Sequence, residues 1–175
     1  MTGELIARLR GILQSLDCDY YFEYDEASAM NVKADAVTND RGLIYIEEIR
    51  GGRYRVPQTR TQGYFFQKET SVSIYFCRFS KELEPYAGLG NTPASELAAA
   101  TFTMTRQAIR DRIEAEAVIP FIAALNKAFG GTLRNYSVGD YTFTYPVGSR
   151  FDANEVAILL NFTLLQQTSC LNVLE

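Results

Sequence analysis

Four groups of side chains in this sequence have types and spacings that could do chemistry. Asp152, Asn154 and Glu155 form a small oxygen-rich cluster of the kind that ligates Ca²⁺ or Mg²⁺. It lacks the length and glycine position of an EF-hand loop and reads better as a turn leading into a strand. Glu47 and Glu48 are adjacent acids; neighbours on a strand point to opposite sides, so they do not converge as an acid/base pair and read as solvated edge charges. Gly88-Leu89-Gly90 begins like a phosphate cradle, yet neither GxGxxG nor GxxxxGK[ST] is completed. The fourth group is basic. Arg50, Arg53, Arg55 and Arg60, with Tyr54 and Tyr64, form a stretch that is a solvated loop, a phosphate-contacting and base-stacking surface, or an arm that pairs with acids on a neighbour.

The 175 residues include no histidine. That removes His-dependent triads, His metal ligands and the usual imidazole base, leaving Ser/Lys chemistry as the remaining route for a serine nucleophile. No catalytic residue, metal or cofactor is expected. Cys18, Cys77 and Cys170 lie far apart without a CxxC pair, so they read as small apolar groups in a reducing compartment. Arg8 and Arg10 interrupt the segment from Thr2 to Leu16, which therefore does not read as a secretory signal. No window reaches ~18 to 20 uninterrupted apolar residues, so no membrane span is expected and the cytoplasm is the expected compartment.

A hydrophobic content of 47% and a charged content of 22% predict one globular domain over residues 1–175. The net charge of −4 is unevenly spread. Asp17, Asp19, Glu23, Asp25 and Glu26 crowd one short stretch without a base, interleaved with Tyr20, Tyr21, Phe22 and Tyr24. From Arg41 to Lys68, by contrast, six bases face Glu47 and Glu48, a local charge of +4 inside an acidic protein. A head-to-tail contact between copies would bring the two stretches together.

These groups must be positioned by regular elements. Leu5, Ile6, Leu9, Ile12, Leu13 and Leu16 follow a helical stripe, predicting an amphipathic helix over about 3–16. The acidic, aromatic stretch after it reads as a strand, and Gly42 opens a β-branched run to Ile49. Arg50-Gly51-Gly52-Arg53 is expected to turn the chain into a flexible basic β-arm or loop over about 50–63. Residues 64–79 alternate as a long central strand, with Val72, Ile74 and Phe76 on one face and Ser71, Ser73, Tyr75 and Cys77 on the other. A loop over 81–91 leads to a helical region opened by Thr92-Pro93. Its firmest part, about 105–129, should bury Ile109, Ile113, Ile119, Ile122, Leu125 and Phe129, with Arg110 and Glu114 paired on the polar face and Pro120 kinking or splitting the helix. Gly130-Gly131 ends it; Tyr141, Phe143 and Tyr145 alternate as a strand; Pro146-Val147-Gly148 turns; and a last strand covers about 155–167. The order helix, strands, helix, strands predicts an α+β fold, a mainly antiparallel sheet with an N-terminal amphipathic helix and a second long helix packed on it.

This order, together with the carboxyl-terminal stretch from Tyr141 to Leu165, YTFTYPVGSRFDANEVAILLNFTLL, resembles the tail terminator, or tail completion, proteins of long-tailed phages and their prophages. The resemblance spans most of the chain and lies in element patterns more than in single residues; the helical lead over 92–104 departs from it. It implies a subunit without catalytic residues that forms a hexameric ring on the tail tube, stops its growth and meets head and neck proteins. It also implies a location in the host cytoplasm during assembly and then in the virion tail, with DNA passing the lumen. In that setting the arm of Arg50, Arg53, Tyr54, Arg55 and Arg60 faces a neighbouring subunit or the channel. Asp17, Asp19, Glu23, Asp25 and Glu26 are its complementary acidic surface. The alternative is a nucleic-acid-binding module using the arginines of 50–60.

Overall fold

The computed structural model of the chain describes residues 2–18, 20–25, 42–47, 49, 51–55, 65–79, 106–146 and 155–169. The expected loop and helical lead over 81–104, the turn at Val147-Gly148, Asp152, Asn154 and Cys170 lie outside them. Helix α1 runs Thr2–Gln14, and Leu5, Leu9, Ile12 and Leu13 of the predicted stripe are buried. Strand β1 follows at Tyr20–Asp25, then β2 at Gly42–Glu47, β3 at Arg53–Arg55 and β4 at Phe65–Phe79. A long helix, α2, starts over 106–113, widens to a π-turn at Glu114–Val118 and resumes over Ile119–Ala128. The chain closes with β5 at Tyr136–Val138, β6 at Thr142–Thr144 and β7 at Glu155–Ser169.

The fold is α+β, and the sheet is built on its two longest strands. β4 and β7 pair antiparallel along their full length, from Phe65 with Ser169 to Phe79 with Glu155. The sheet order is β1-β2-β4-β7-β5, with β3 on β4 and β6 on β7. All pairs are antiparallel except β1 on β2, which is parallel. Each outer edge of the central pair is met by two shorter strands end to end. Ile46 of β2 pairs with Ile74 and Arg53 of β3 with Glu69, so six residues of sequence separate the paired positions on one side and four on the other. On the far side Val138 of β5 pairs with Leu164 and Thr142 of β6 with Asn161. Both interruptions bulge the outer strands at the same level of the sheet.

Period-two alternation decides what each face does. Ile44, Ile46, Val72, Ile74, Phe76, Val156, Ile158, Leu160, Phe162 and Leu164 form the core beneath α1 and α2, where Ile113, Ala117, Val118, Phe121 and Leu125 meet them. On the opposite face Leu43, Tyr45, Tyr75, Cys77 and Ala157 form a second buried cluster, with the Tyr45 and Tyr75 rings 6.2 Å apart. Cys77 is there the small apolar group expected of it: its Sγ donates to the Leu43 carbonyl at 3.3 Å, and burial, with Glu155 nearby, pushes the thiol well up. A full aliphatic side chain buried this way contributes roughly 1.5–3 kcal/mol.

Helix α2 departs from the sequence reading in one respect. Of the kink or split expected at Pro120, the split does not occur; the helix widens just ahead of the proline, where the Ile119 N–H reaches back five residues to the Glu114 carbonyl. A proline cannot donate to the turn before it, and the wider turn absorbs that defect. The extra residue rotates the following face, so Ile119, expected to be buried, is 57% exposed while Val118 and Phe121 take its place. Gly130 and Gly131 close the helix, their N–H groups donating to Lys127 and Ala128 at 3.2 and 3.0 Å. No helix among the described residues is long and apolar enough to cross a membrane.

Candidate functional site: an arginine-walled groove between two bulges

The arginine stretch folds as a hairpin onto β4. Arg53 pairs with Glu69, Tyr54 with Lys68 and Arg55 with Gln67, so the first half of β4 is the second strand of the expected arm. The turn expected at Arg50–Arg53 does not reverse the chain: β2 and β3 both run antiparallel to β4 and do not pair with each other, and the chain passes Gly51-Gly52 to continue along the same edge of β4. Gly52 allows that passage, because a Cβ there would overlap the Glu69 carbonyl.

Directly opposed residues share a face, so Arg53, Arg55 and Glu69 lie together on the face away from the helices. The Glu69 carboxylate, 8% exposed, is gripped from both sides. Arg53 Nε donates to Oε2, and Arg55 Nε lies 2.5 Å from Oε1, while the two guanidiniums are 68% and 57% exposed. Each arginine commits only its Nε, so the terminal nitrogens of both face outward without a partner among the described residues. One carboxylate against two guanidiniums leaves +1 on this wall, which Asp140 across the neighbouring cavity balances.

Beside this wall lies an open cavity of about 680 Å³, lined by Gly52, Arg53, Arg55, Glu69, Ser71, Gly139, Asp140, Thr163 and Leu165. It sits where both bulges interrupt the sheet, and the Gly139 N–H closes the far one on the Thr163 carbonyl at 3.0 Å. Above the site Ser73 donates to Asn161 at 2.7 Å, extending the polar surface along β4 and β7.

The other predicted residues are spread out. Tyr54 is 64% exposed on the opposite face of β3, beside Lys68. Asp17 is exposed just after α1, and Glu23 and Asp25 belong to edge strand β1, which pairs with β2 and not with β3. Arg50, Arg60, Asp19 and Glu26 lie outside the described residues. The fold therefore brings Arg53 and Arg55 together and pairs the acidic strand with β2, not with β3.

Sequence reasoning missed Glu69, Asp140 and the hydroxyls of Ser71 and Thr163. The signal for Glu69 was present: an acid in the middle of a strand read as central requires a counter-charge. It also missed a second cluster at the other end of β4. Arg78 pairs with Glu116 at 2.7 Å, donates to the Tyr20 hydroxyl at 3.1 Å and lies over the Tyr20 ring, 4.9 Å from its centroid. Arg112 holds the same Glu116 at 2.7 Å. Gly42 leaves room for that ring, since a Cβ there would overlap it. The Arg112 hydrogen bond, against the cost of burial, and the nearby Arg78 hold the Glu116 carboxyl below its ordinary value. Burial raises the Tyr20 phenol even though Arg78 opposes it. Arg110, read as a partner of Glu114, lies instead over the Tyr145 ring at 4.7 Å.

Among the described residues no group of three or more His, Cys, Asp or Glu side chains is placed to hold a metal ion. No family model matches the chain, and no curated protein matches it.

Proposed function

We propose that this chain is a structural assembly subunit of the phage tail-terminator or tail-completion type. Copies of it associate head to tail as a ring, hexameric in the family it resembles, which caps the tail tube and joins it to the head. It acts in the host cytoplasm during assembly and then as part of the virion tail, and no bond is made or broken by it. One observation carries the self-association: among the described residues strand β3 pairs with β4 alone, and its two exposed arginines each engage Glu69 only through Nε. Arginine is one of the residue types enriched among the anchors that hold protein interfaces. The phage setting is supported by the resemblance of the element order and of residues 141–165.

Sedimentation equilibrium of the purified chain, with electron microscopy of the same sample, tests this reading. Discrete rings are the expected result, and a species that stays single at the highest attainable concentration overturns it. A second reading draws on Tyr54, exposed beside Lys68 on the face opposite the groove: an aromatic and a base suited to stacking on a nucleic acid and contacting its phosphate. In that case the chain binds DNA as a monomer, with an affinity that falls steeply as salt rises.

A further inference from the structure

We propose that the cavity between the two bulges is a socket for a single carboxylate, and that its occupant is Asp17, in the turn after α1, of a second copy of this chain. The proposal rests on the self-association reading above and names its contact.

The socket has two unlike walls. On the β3 side Glu69 fixes Arg53 and Arg55 through Nε, so both guanidiniums are oriented before any partner arrives and their terminal nitrogens have no partner among the described residues. A guanidinium held that way loses little freedom on taking a carboxylate through its remaining donors. Ser71 and Thr163 line the space beside them, and Asp140 forms part of the lining from the β5–β6 bulge. An acid on that side disfavours a polyanion such as a nucleic-acid backbone, which would bring further charges toward it, and leaves room for one carboxylate on the basic side.

The occupant is chosen by an electrostatic mismatch elsewhere in the chain. Asp17 is exposed in the bend just beyond α1 and has no ion pair among the described residues. The last turn of α1 carries no base. An acid at the negative end of a helix is unfavourable unless a cation offsets it. The donors of Arg53 and Arg55 are such cations; within one chain Asp17 precedes Tyr20, which lies by register at the Arg78 end of β4, nine residues along that strand from the Glu69 that Arg53 faces, so another molecule's Asp17 is the one to take them. Turn into groove is a contact between two different surfaces, so it repeats from copy to copy and can close on itself.

The test uses the full chain in sedimentation velocity over a concentration series, comparing wild type with Asp17→Lys, Arg55→Glu and the doubly substituted Asp17→Lys/Arg55→Glu chain. Each single reversal should weaken association about tenfold or more, and the double reversal should restore it to within about threefold. Asp17 is exposed, so Asp17→Lys leaves the fold intact, which circular dichroism checks. Should wild type associate and Asp17→Lys associate equally well, the contact is wrong while self-association stands. If both single variants dissociate and the double one does not recover, the two residues are not partners. A wild-type chain that never associates removes the proposal together with the reading beneath it.

Discussion

Two carboxylates in this molecule are each held by two arginines, one toward each end of β4, and they are built inside out from one another. At Glu69 the acid is buried and both arginines are exposed; at Glu116 the acid is 38% exposed and Arg78, at 13%, is the sheltered member. Arg78 also spends donors on Tyr20, so it ties β4 to β1 and α2 and serves the fold. Arg53 and Arg55 engage Glu69 only through Nε among the described residues, so their terminal donors are available to a partner. The difference teaches that where the burial falls, on the cation or on the anion, separates a fastening within the chain from a surface between chains.

The comparison breaks most visibly at Arg78. Arg78→Leu removes one of the two arginines on Glu116 and the donor to the Tyr20 hydroxyl while Arg112 stays, and chemical denaturation should report a loss of about 2 kcal/mol. Glu69→Gln removes the charge that orients two exposed arginines, and the loss should be nearer 1 kcal/mol, with faster amide exchange in β3 as its signature. A Glu69→Gln cost equal to that of Arg78→Leu would show that both clusters are fastenings. Smaller still is the effect of Arg55→Gln or Arg112→Gln, each within about 0.5 kcal/mol in stability because their guanidiniums are largely exposed; only Arg55→Gln should also weaken self-association.

The pH dependence sharpens the contrast in sign. The folded chain holds Glu116 below its ordinary value near 4.5, so the proton is bound more weakly folded than unfolded. Its contribution is complete above that value and is lost as pH falls through the lower, folded one. The acid limb of a stability profile should therefore flatten in Glu116→Gln relative to wild type. At the alkaline end the raised Tyr20, Tyr136 and Tyr141 phenols, each pushed up by burial, act in the other direction: their contribution is full below 10.0 and is lost as pH rises through the higher folded values.

Much of the fold was readable from alternation alone. Val72, Ile74 and Phe76 against Ser73, Tyr75 and Cys77 is a two-faced strand in any register, and the stripe from Leu5 to Leu13 is helical in any context. What failed was local bookkeeping that depends on one residue more or less. The exposure of Ile119 follows from the single extra residue of the π-turn, and the break between β2 and β3 from six residues of sequence set against four. Hydrophobic periodicity does not register such insertions. The arm arginines were also legible as a basic stretch, yet the acid that holds two of them was not, because Glu69 meets Arg53 only across a strand pair.

By itself, then, the sequence determined the class of fold, the two faces of each long strand, the absence of histidine chemistry and the separation of acidic from basic stretches. Each of these is a property of residue type and near-neighbour spacing. Only the tertiary structure decided that β2 and β3 share one edge of β4, that Arg53 and Arg55 converge on a buried carboxylate with donors to spare, and that two bulges open a cavity beside them. These depend on strand register between residues far apart in the chain, and register is set by the summed packing of the whole sheet.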